Sequence, residues 1–359
     1  MKPRVLHIIN TSGIGGAETV VGDIISYGDY PVFCLKEDGI ERFREVSDKV
    51  YFGTKSKFYK YNPLVLYRLF KIVKKENIQI LHTHLANSLL YAILVKKMLP
   101  YIRIIYHEHG EIFYNGKLKY LLRNQKHVID SYVAVSNATK KELEQKASVE
   151  LNKIRVVYNY VDPRRFKRKK IKIDIKNEKK NMGITVDKFV IGFVGRLNKV
   201  KGCEYLIKSL PYLKFKYKVL IVGDGPERKS LENLVKKLKV DEKVIFLGYM
   251  QRIEDVYPLM DVLVIPSLNE SFGLSLIEAL MSRVPVIASN IGGLVELSKQ
   301  QRGVILFRKG DIKDLSNKLK VVSSDHLSYK NSLKSNTLAK NNSSKAYIEK
   351  IRAIYDETV

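Results

Sequence analysis

Cysteine is nearly absent: Cys34 and Cys203 are the only two among 359 residues, far apart and in no metal-binding or redox spacing. Neither is a good nucleophile candidate, and such sparse cysteine fits a reducing cytoplasmic compartment. No apolar stretch approaches the ~20 residues needed to cross a bilayer, and Val5–Ile9 is too short and too soon interrupted for a signal peptide. The chain is therefore expected to be soluble or peripheral. Solenoid-type repeats are also missing. Acidic residues are scarce: 64 Lys and Arg face 37 Asp and Glu, leaving a formal charge of +27. That excess favours nucleic acid, anionic lipid or a phosphorylated substrate without choosing among them. A Lys-, Ile- and Asn-rich composition of the kind an AT-biased genome produces accounts for the same excess as plain solvated surface.

Hydrophobic residues make up 45% of the chain, ample for globular packing at a length that implies about two domains. Short apolar runs at 5–9, 31–35, 78–82, 102–106, 132–135 and 154–157 alternate with amphipathic stretches of helical spacing. A second series follows at 190–194, 218–222, 244–247, 262–265 and 284–288. Both series predict a parallel sheet with helices on both faces, binding ligands at the carboxyl ends of its strands. The expected division is an N-terminal domain over 1–165, a basic linker over 166–187 containing Arg168-Lys169-Lys170, a C-terminal domain over 188–340, and a final helix over 341–359 that packs back on the first domain.

The candidate chemistry lies just past the strands. Glu270 and Glu278 bracket the segment Phe272-Gly273-Leu274, the first in a strand-to-helix loop and the second about two turns into the helix. A helix N-terminus offers unpaired N–H groups and a positive dipole end, which makes the backbone between these acids an anion seat. Carboxylates on either side suit sugar hydroxyls. Arg196, Lys199 and Lys201 follow another strand, where a guanidinium fork and compact ammonium groups can neutralise a diphosphate. Gly223-Asp224-Gly225-Pro226 and Gly248-Tyr249-Met250 form further loops at strand ends.

In the first half, Gly13, Gly15 and Gly16 open a helix and bring bare backbone N–H groups within reach of a phosphate, although they fit neither the dinucleotide spacing nor a Walker loop. His82-Thr83-His84 and His107-Glu108-His109 follow later strands. Short His-x-His pairs without a matched third ligand are weak metal motifs. A polar lining of strand ends explains them better, with His109 placed to hydrogen-bond a bound sugar or phosphate.

Taken in order, Gly15-Gly16-Ala17-Glu18, His109-Gly110, Ala134-Val135-Ser136, Gly195-Arg196-Leu197 with Lys201-Gly202, Gly223 to Pro226 and Glu270 to Glu278 resemble the GT-B glycosyltransferases of family 4. Glu278-Ala279-Leu280-Met281, Pro285 to Ala288 and Gly292-Gly293 to Glu296 continue the pattern, so the resemblance covers nearly the whole chain. It implies an α/β protein of GT-B fold, two Rossmann-like doubly wound domains facing across a cleft. It also implies a retaining hexosyltransferase-type enzyme with a nucleotide-diphosphate sugar as co-substrate, UDP-sugar by family frequency, and no metal or other cofactor. The sequence offers no acidic motif for a divalent cation.

By resemblance, Glu270, Arg196, Lys201 and His109 are the catalytic set. Gly15, Gly16, Gly223, Tyr249, Met250, Phe272, Gly273, Leu274 and Glu278 bind the donor, with Glu278 on the ribose. The expected acceptor is a saccharide or lipid-linked saccharide, as in surface polysaccharide or glycoconjugate synthesis. The amphipathic stretch Tyr59 to Lys75 suggests peripheral contact with an anionic membrane, at its inner face. The alternatives are a nucleotide-sugar epimerase or sugar phosphorylase of related fold, or a basic nucleic-acid or membrane-binding protein. The ordered loop motifs argue against the last. One departure stands out: Asn159-Tyr160-Val161-Asp162 carries Tyr160 where the family usually has Gly, and that tyrosine either alters closure or points outward.

Overall fold

A computed structural model describes residues 2–13, 15–38, 43, 48–113, 115–166, 173–333 and 344–358. Two compact units emerge, one from Met1–Tyr160 with Ser343–Val359, the other from Val161–Asn342.

The first unit runs β1 (Val5–Thr11), α1 (Gly16–Gly28), β2 (Val32–Lys36), β3 (Val50–Thr54), α2 (Pro63–Lys75), β4 (Ile80–His84), α3 (Ala86–Met98), β5 (Arg103–Glu108), α4 (Gly116–Gln125), β6 (Ser131–Ala134), α5 (Asn137–Ala147) and β7 (Ile154–Val156). Its seven strands lie in the order β3-β2-β1-β4-β5-β6-β7, every neighbouring pair parallel. The central strands are almost continuously buried because helices cover both faces, although β1, β4 and β5 carry histidines among their apolar residues. Helix starts are set locally: the Asn62 side chain accepts from Leu64 N with Pro63 in the first turn, and Ser136 caps α5 by accepting from Thr139 N.

The second unit runs α6 (Ile175–Asn181), β8 (Phe189–Val194), α7 (Cys203–Ser209), β9 (Tyr217–Val222), α8 (Arg228–Lys237), β10 (Val244–Gly248), β11 (Val262–Ile265), α9 (Leu274–Met281), β12 (Val286–Ser289), α10 (Gly292–Gln300), β13 (Val304–Phe307), α11 (Ile312–Ser324) and α12 (His326–Ser332). Its parallel strands follow the order β10-β9-β8-β11-β12-β13. In each unit the strand order reverses once, between β1 and β4 and between β8 and β11. Such a switch point opens a crevice at the carboxyl ends of the two strands.

Three features differ from what the sequence suggests. β3 and β13 were not anticipated; both are edge strands with half-exposed side chains, so their apolar runs are weak. The segment expected to be a linker is partly built into the second unit: Phe166 is buried with its ring 6.2 Å from that of Tyr257, Arg165 pairs with Glu254 at 3.2 Å, and α6 carries Ile184 into a buried position just beyond it. The basic run at 167–170 and much of the polar tail, 334–343, lie outside the described residues. Tyr160 is buried and does not point outward. Its ring sits 5.9 Å from Tyr27 of α1 and 6.2 Å from Tyr347 of the C-terminal helix, Ser344–Thr358. That helix buries Tyr347, Ile348, Ile351, Ile354 and Tyr355 along one face, the spacing of a helix packed on a single neighbour, and packs on α1.

Candidate functional site

In the second unit the loops after β8, β9, β10, β11 and β12 are tied backbone to backbone. Leu197 N donates to Asp224 O at 2.9 Å, Gly223 N to Gly248 O at 2.7 Å, Leu268 N to Val200 O at 2.7 Å, and Gly293 N to Glu270 O at 3.2 Å. These contacts rest on glycine. At Gly202 φ is +65°, and a Cβ there would lie 2.1 Å from Pro266 O, so the loop bearing Lys201 presses directly on the loop after β11. One consequence is an ion pair at the switch point: Lys201 Nζ lies 2.7 Å from Glu270 Oε2, which also accepts from Ser267 Oγ at 3.2 Å. The Asn198 side chain accepts from Lys201 N and fixes the turn that presents the ammonium.

Beyond Glu270, Phe272 is buried and anchors the loop, and Gly273, at φ +104°, precedes the first residue of α9, Leu274. No side chain caps this helix start, so its first N–H groups project without an intrahelical acceptor, the arrangement that binds anions. The late start corrects the expected position of Glu278. It stands at the fifth helical residue, about one turn in, because Gly273 takes a left-handed conformation that a helix interior does not allow. Tyr257 Oη donates to Glu278 Oε2 at 2.7 Å; burial and that carboxylate push the phenol well above its ordinary range, which keeps it a donor. Arg196 is exposed at the head of the Lys201 loop, and among the described residues its guanidinium enters no ion pair. Tyr249 and Met250 are exposed beyond β10, next to the Gly223 loop.

The first unit presents a different chemistry. Gly15 caps α1 in extended conformation, without a side-chain cap, and Gly16 is the first helical residue. The histidines do not follow the strands. His82 and His84 lie inside β4 and His107 inside β5, all fully buried instead of lining an opening, while His109 just beyond β5 is half-buried. His7 of β1 pairs in register with His82, and His84 with His107. Strand alternation therefore gathers their imidazoles on one face of the sheet. His7 Nδ1 is 3.0 Å from His84 Nε2, and His84 Nδ1 is 2.9 Å from His109 Nε2. Tyr355 Oη of the C-terminal helix lies 3.1 Å from His7 Nε2 and 2.7 Å from His82 Nδ1.

Desolvation holds all five rings neutral, with His7 and His109 pushed down to about 3 and His82, His84 and His107 well below the ordinary range. Glu108 on the opposite side of β5 accepts from Tyr106 Oη at 2.9 Å and from Ile112 N at 3.2 Å, and burial raises its carboxyl to about 7.

Sequence reading missed Ser267, Tyr257, His7 and Tyr355. Ser267 stands three residues before Glu270, where its hydroxyl had a visible signal; Tyr355 had none, since it reaches the histidines only through the packing of the last helix.

Each unit is thus a parallel, doubly wound Rossmann-like domain with its polar groups at the switch point, and together they make an α/β protein of the GT-B class. Comparison with known proteins gives the family. Residues 14–165 match the family described as Glycosyltransferase Family 4, and residues 174–341 match Glycosyl transferases group 1. The chain belongs to this family. It is 31% identical to the N-acetyl-alpha-D-glucosaminyl L-malate synthase of Bacillus anthracis, in a match covering 68% of this chain and 65% of that protein. To an uncharacterized glycosyltransferase of Methanocaldococcus jannaschii it is 35% identical over 49% of this chain and 47% of the relative. The chain thus spans about half to two thirds of these relatives. Anabaena HepE, solved in complex with UDP and glucose, has the same fold at a TM-score of 0.87 and 20% identity, covering 99% of both chains.

Proposed function

We propose that the chain is a retaining, metal-independent hexosyltransferase that moves a sugar from a nucleotide-diphosphate donor, a UDP-sugar, to a hydroxyl of a saccharide or lipid-linked saccharide on the cytoplasmic side of a membrane. The observation that carries this reading is the Lys201–Glu270 pair, 2.7 Å apart beside the uncapped start of α9. Breaking the glycosidic C–O bond leaves negative charge on the departing diphosphate while the sugar becomes oxocarbenium-like. Arg196, Lys201 and the N–H groups at Gly273 and Leu274 supply positive potential where that charge develops. Glu270 then takes the sugar hydroxyls, held in place by the ammonium and by Ser267. Glu278, oriented by Tyr257, takes the ribose.

The acceptor hydroxyl forms the new bond to the anomeric carbon on the face the leaving group vacates, and its proton passes to the departing phosphate oxygen. This path needs no protein base. The loops with Gly223, Tyr249 and Met250 complete the donor site of the second unit; the family resemblance assigns Gly15, Gly16 and His109 to ligand contacts of the first. The UDP complex of HepE supports the choice of uridine.

The test is thermal unfolding with a panel of UDP-, GDP- and ADP-sugars, since a ligand that binds only the folded state stabilises it by mass action, about 2.7 kcal/mol at a hundredfold excess over Kd. Stabilisation by a UDP-sugar, lost in Glu270→Ala and Lys201→Ala, is expected. Indifference to all three donor classes rules the reading out, and donor consumption without any acceptor marks an epimerising enzyme instead.

A further inference from the structure

The second unit carries a basic cavity at the amino ends of its strands, the end of the sheet away from Lys201 and Glu270. Lys188 stands directly before β8 and Lys243 directly before β10; Lys214 and Lys216 precede β9, and Lys218 is its second residue. These five lysines open on a cavity of about 550 Å³ that Leu213, Phe215 and Tyr217 also line, with Glu242 as the acid among its lining residues.

The strands bring the ammonium groups level with one another. Phe189 pairs in register with Tyr217 and Val244 with Val219, which sets Lys188 beside Lys216 and Lys243 beside Lys218. Like charges opposed on neighbouring chains repel. Among the described residues only Lys216 of the five meets a carboxylate, that of Asp187 at 2.8 Å. Lys188 and Lys218 donate to the main-chain oxygens of Gly183 and Glu242, and Lys243 Nζ lies 4.8 Å from the centre of the Tyr217 ring. Burial and the Lys188 ammonium push Lys218 below its ordinary range, so the crowding of charge is felt inside the cavity.

An anion that relieves this repulsion must carry several charges close together. A single carboxylate meets one or two ammonium groups, whereas linked phosphates present charged oxygens in every direction along their length. Lysine suits such a ligand: it offers compact point charges without the planar fork by which arginine matches carboxylates. The volume falls in the range of small-molecule sites, and the apolar lining weakens the screening of charges beside it. We infer that this cavity binds an oligophosphate anion, two or three linked phosphate groups, either free or as the tail of a nucleotide, at a site separate from the donor site at the carboxyl ends of the same sheet.

Calorimetric titration of the full-length protein at about 150 mM salt, with inorganic triphosphate and separately with ATP, decides. Triphosphate should bind, and Lys218→Met and Lys188→Ala should each weaken it about tenfold or more, since each removes one charge-assisted hydrogen bond. Lys201→Ala, at the donor site, and Lys299→Ala, on the exposed side of α10, should leave it unchanged. ATP bound as tightly as triphosphate makes the phosphate chain the whole determinant, and tighter ATP adds the nucleoside; either supports the site when Lys218→Met weakens both ligands. Failure of the wild-type protein to bind triphosphate overturns the inference. So does weakening by Lys201→Ala in place of Lys218→Met, which puts the anion at the donor site, and equal weakening by Lys299→Ala, which reduces the effect to net charge. Preference for single-stranded DNA over triphosphate, lost in the same variants, also overturns it and assigns the surface to a nucleic acid. Lys214→Ala, at an exposed position, reads the same loss if Lys218→Met does not fold.

Discussion

The two units share a parallel sheet, a single reversal of strand order and polar groups at that reversal, yet they hold those groups in opposite ways. In the second unit Lys201, Glu270 and Glu278 stand on loops or a helix start, partly solvated and charged, fixed by glycine contacts and hydroxyl donors. In the first, His7, His82, His84 and His107 sit inside strands with no access to water and stay neutral. Loops bear charge because water screens it while the ligand is absent; strands in a closed sheet carry only groups that shed their charge. The second unit therefore presents charged groups at its strand ends, and the first a buried cluster of neutral imidazoles.

Acid should separate the units most sharply. Buried histidines whose folded values are depressed stabilise the fold in full above the unfolded value, 6.5, and lose that contribution as pH falls from 6.5 toward about 3. Each can cost up to about 1.4 kcal/mol per pH unit in that window. Glu108 acts in the opposite sense: its carboxyl, raised to about 7, stabilises below 4.5 and loses its contribution as pH rises through 7. The Glu111 carboxyl, also raised by burial, acts in the same sense as Glu108, and five rings outweigh two carboxyls between pH 6.5 and 4.5. The second unit contains a single histidine, His326. Hydrogen exchange at pH 7.5 and 5.5, corrected for intrinsic rates, should show protection falling in the first unit and holding in the second. Equal loss in both would contradict the contrast.

On the charged side, Glu270→Ala, Arg196→Ala and Lys201→Ala should each lower the transfer rate by ~10²- to 10³-fold in folded protein, as removal of one preorganised donor commonly does. Near-wild-type turnover in all three would sink the site assignment. A smaller effect reports on the scaffold. Gly202→Ala forces a Cβ against Pro266 O at φ +65°, so it should cost about 1–3 kcal/mol and lower the melting temperature by several degrees. Lys201 would then lose its place beside Glu270. An unchanged melting temperature with full activity would show that the loop relaxes freely.

The same contrast explains what could be read from the chain. The charged loops were legible because each needs consecutive residues, glycines beside Arg196, Lys201, Glu270 and Glu278, in a fixed order. The central strands were legible as short runs rich in apolar residues. Edge strands β3 and β13 were not, since half-exposed strands lack such runs. His82-x-His84 and His107-x-His109 stood out as pairs, but their meeting with His7 depends on register across β1, β4 and β5, which no local pattern encodes. Tyr160 was a visible departure with an invisible reason: its partners Tyr27 and Tyr347 lie 133 residues before it and 187 residues after it in the numbering.

The smallest expected effect concerns a surface of the first unit. Helix α2 buries Val65, Leu69 and Val73, so it is an ordinary packed helix on one side. Its other side and the preceding loop expose Phe58, Tyr61, Leu64 and Tyr67 beside exposed Lys55, Lys57, Lys60, Lys71, Lys74 and Lys75. Aromatic rings interleaved with ammonium groups suit the headgroup region of an anionic bilayer, and no helix among the described residues is long and apolar enough to cross one. Each lysine near such a surface contributes about 1 kcal/mol, so Lys71→Ala should weaken flotation with anionic liposomes roughly fivefold and leave neutral liposomes unaffected. Because Lys71 is remote in sequence from every proposed site residue, donor stabilisation should be unchanged in the same variant. Flotation that depends equally on a second-unit lysine, such as Lys236, would show that net charge and not this face makes the contact.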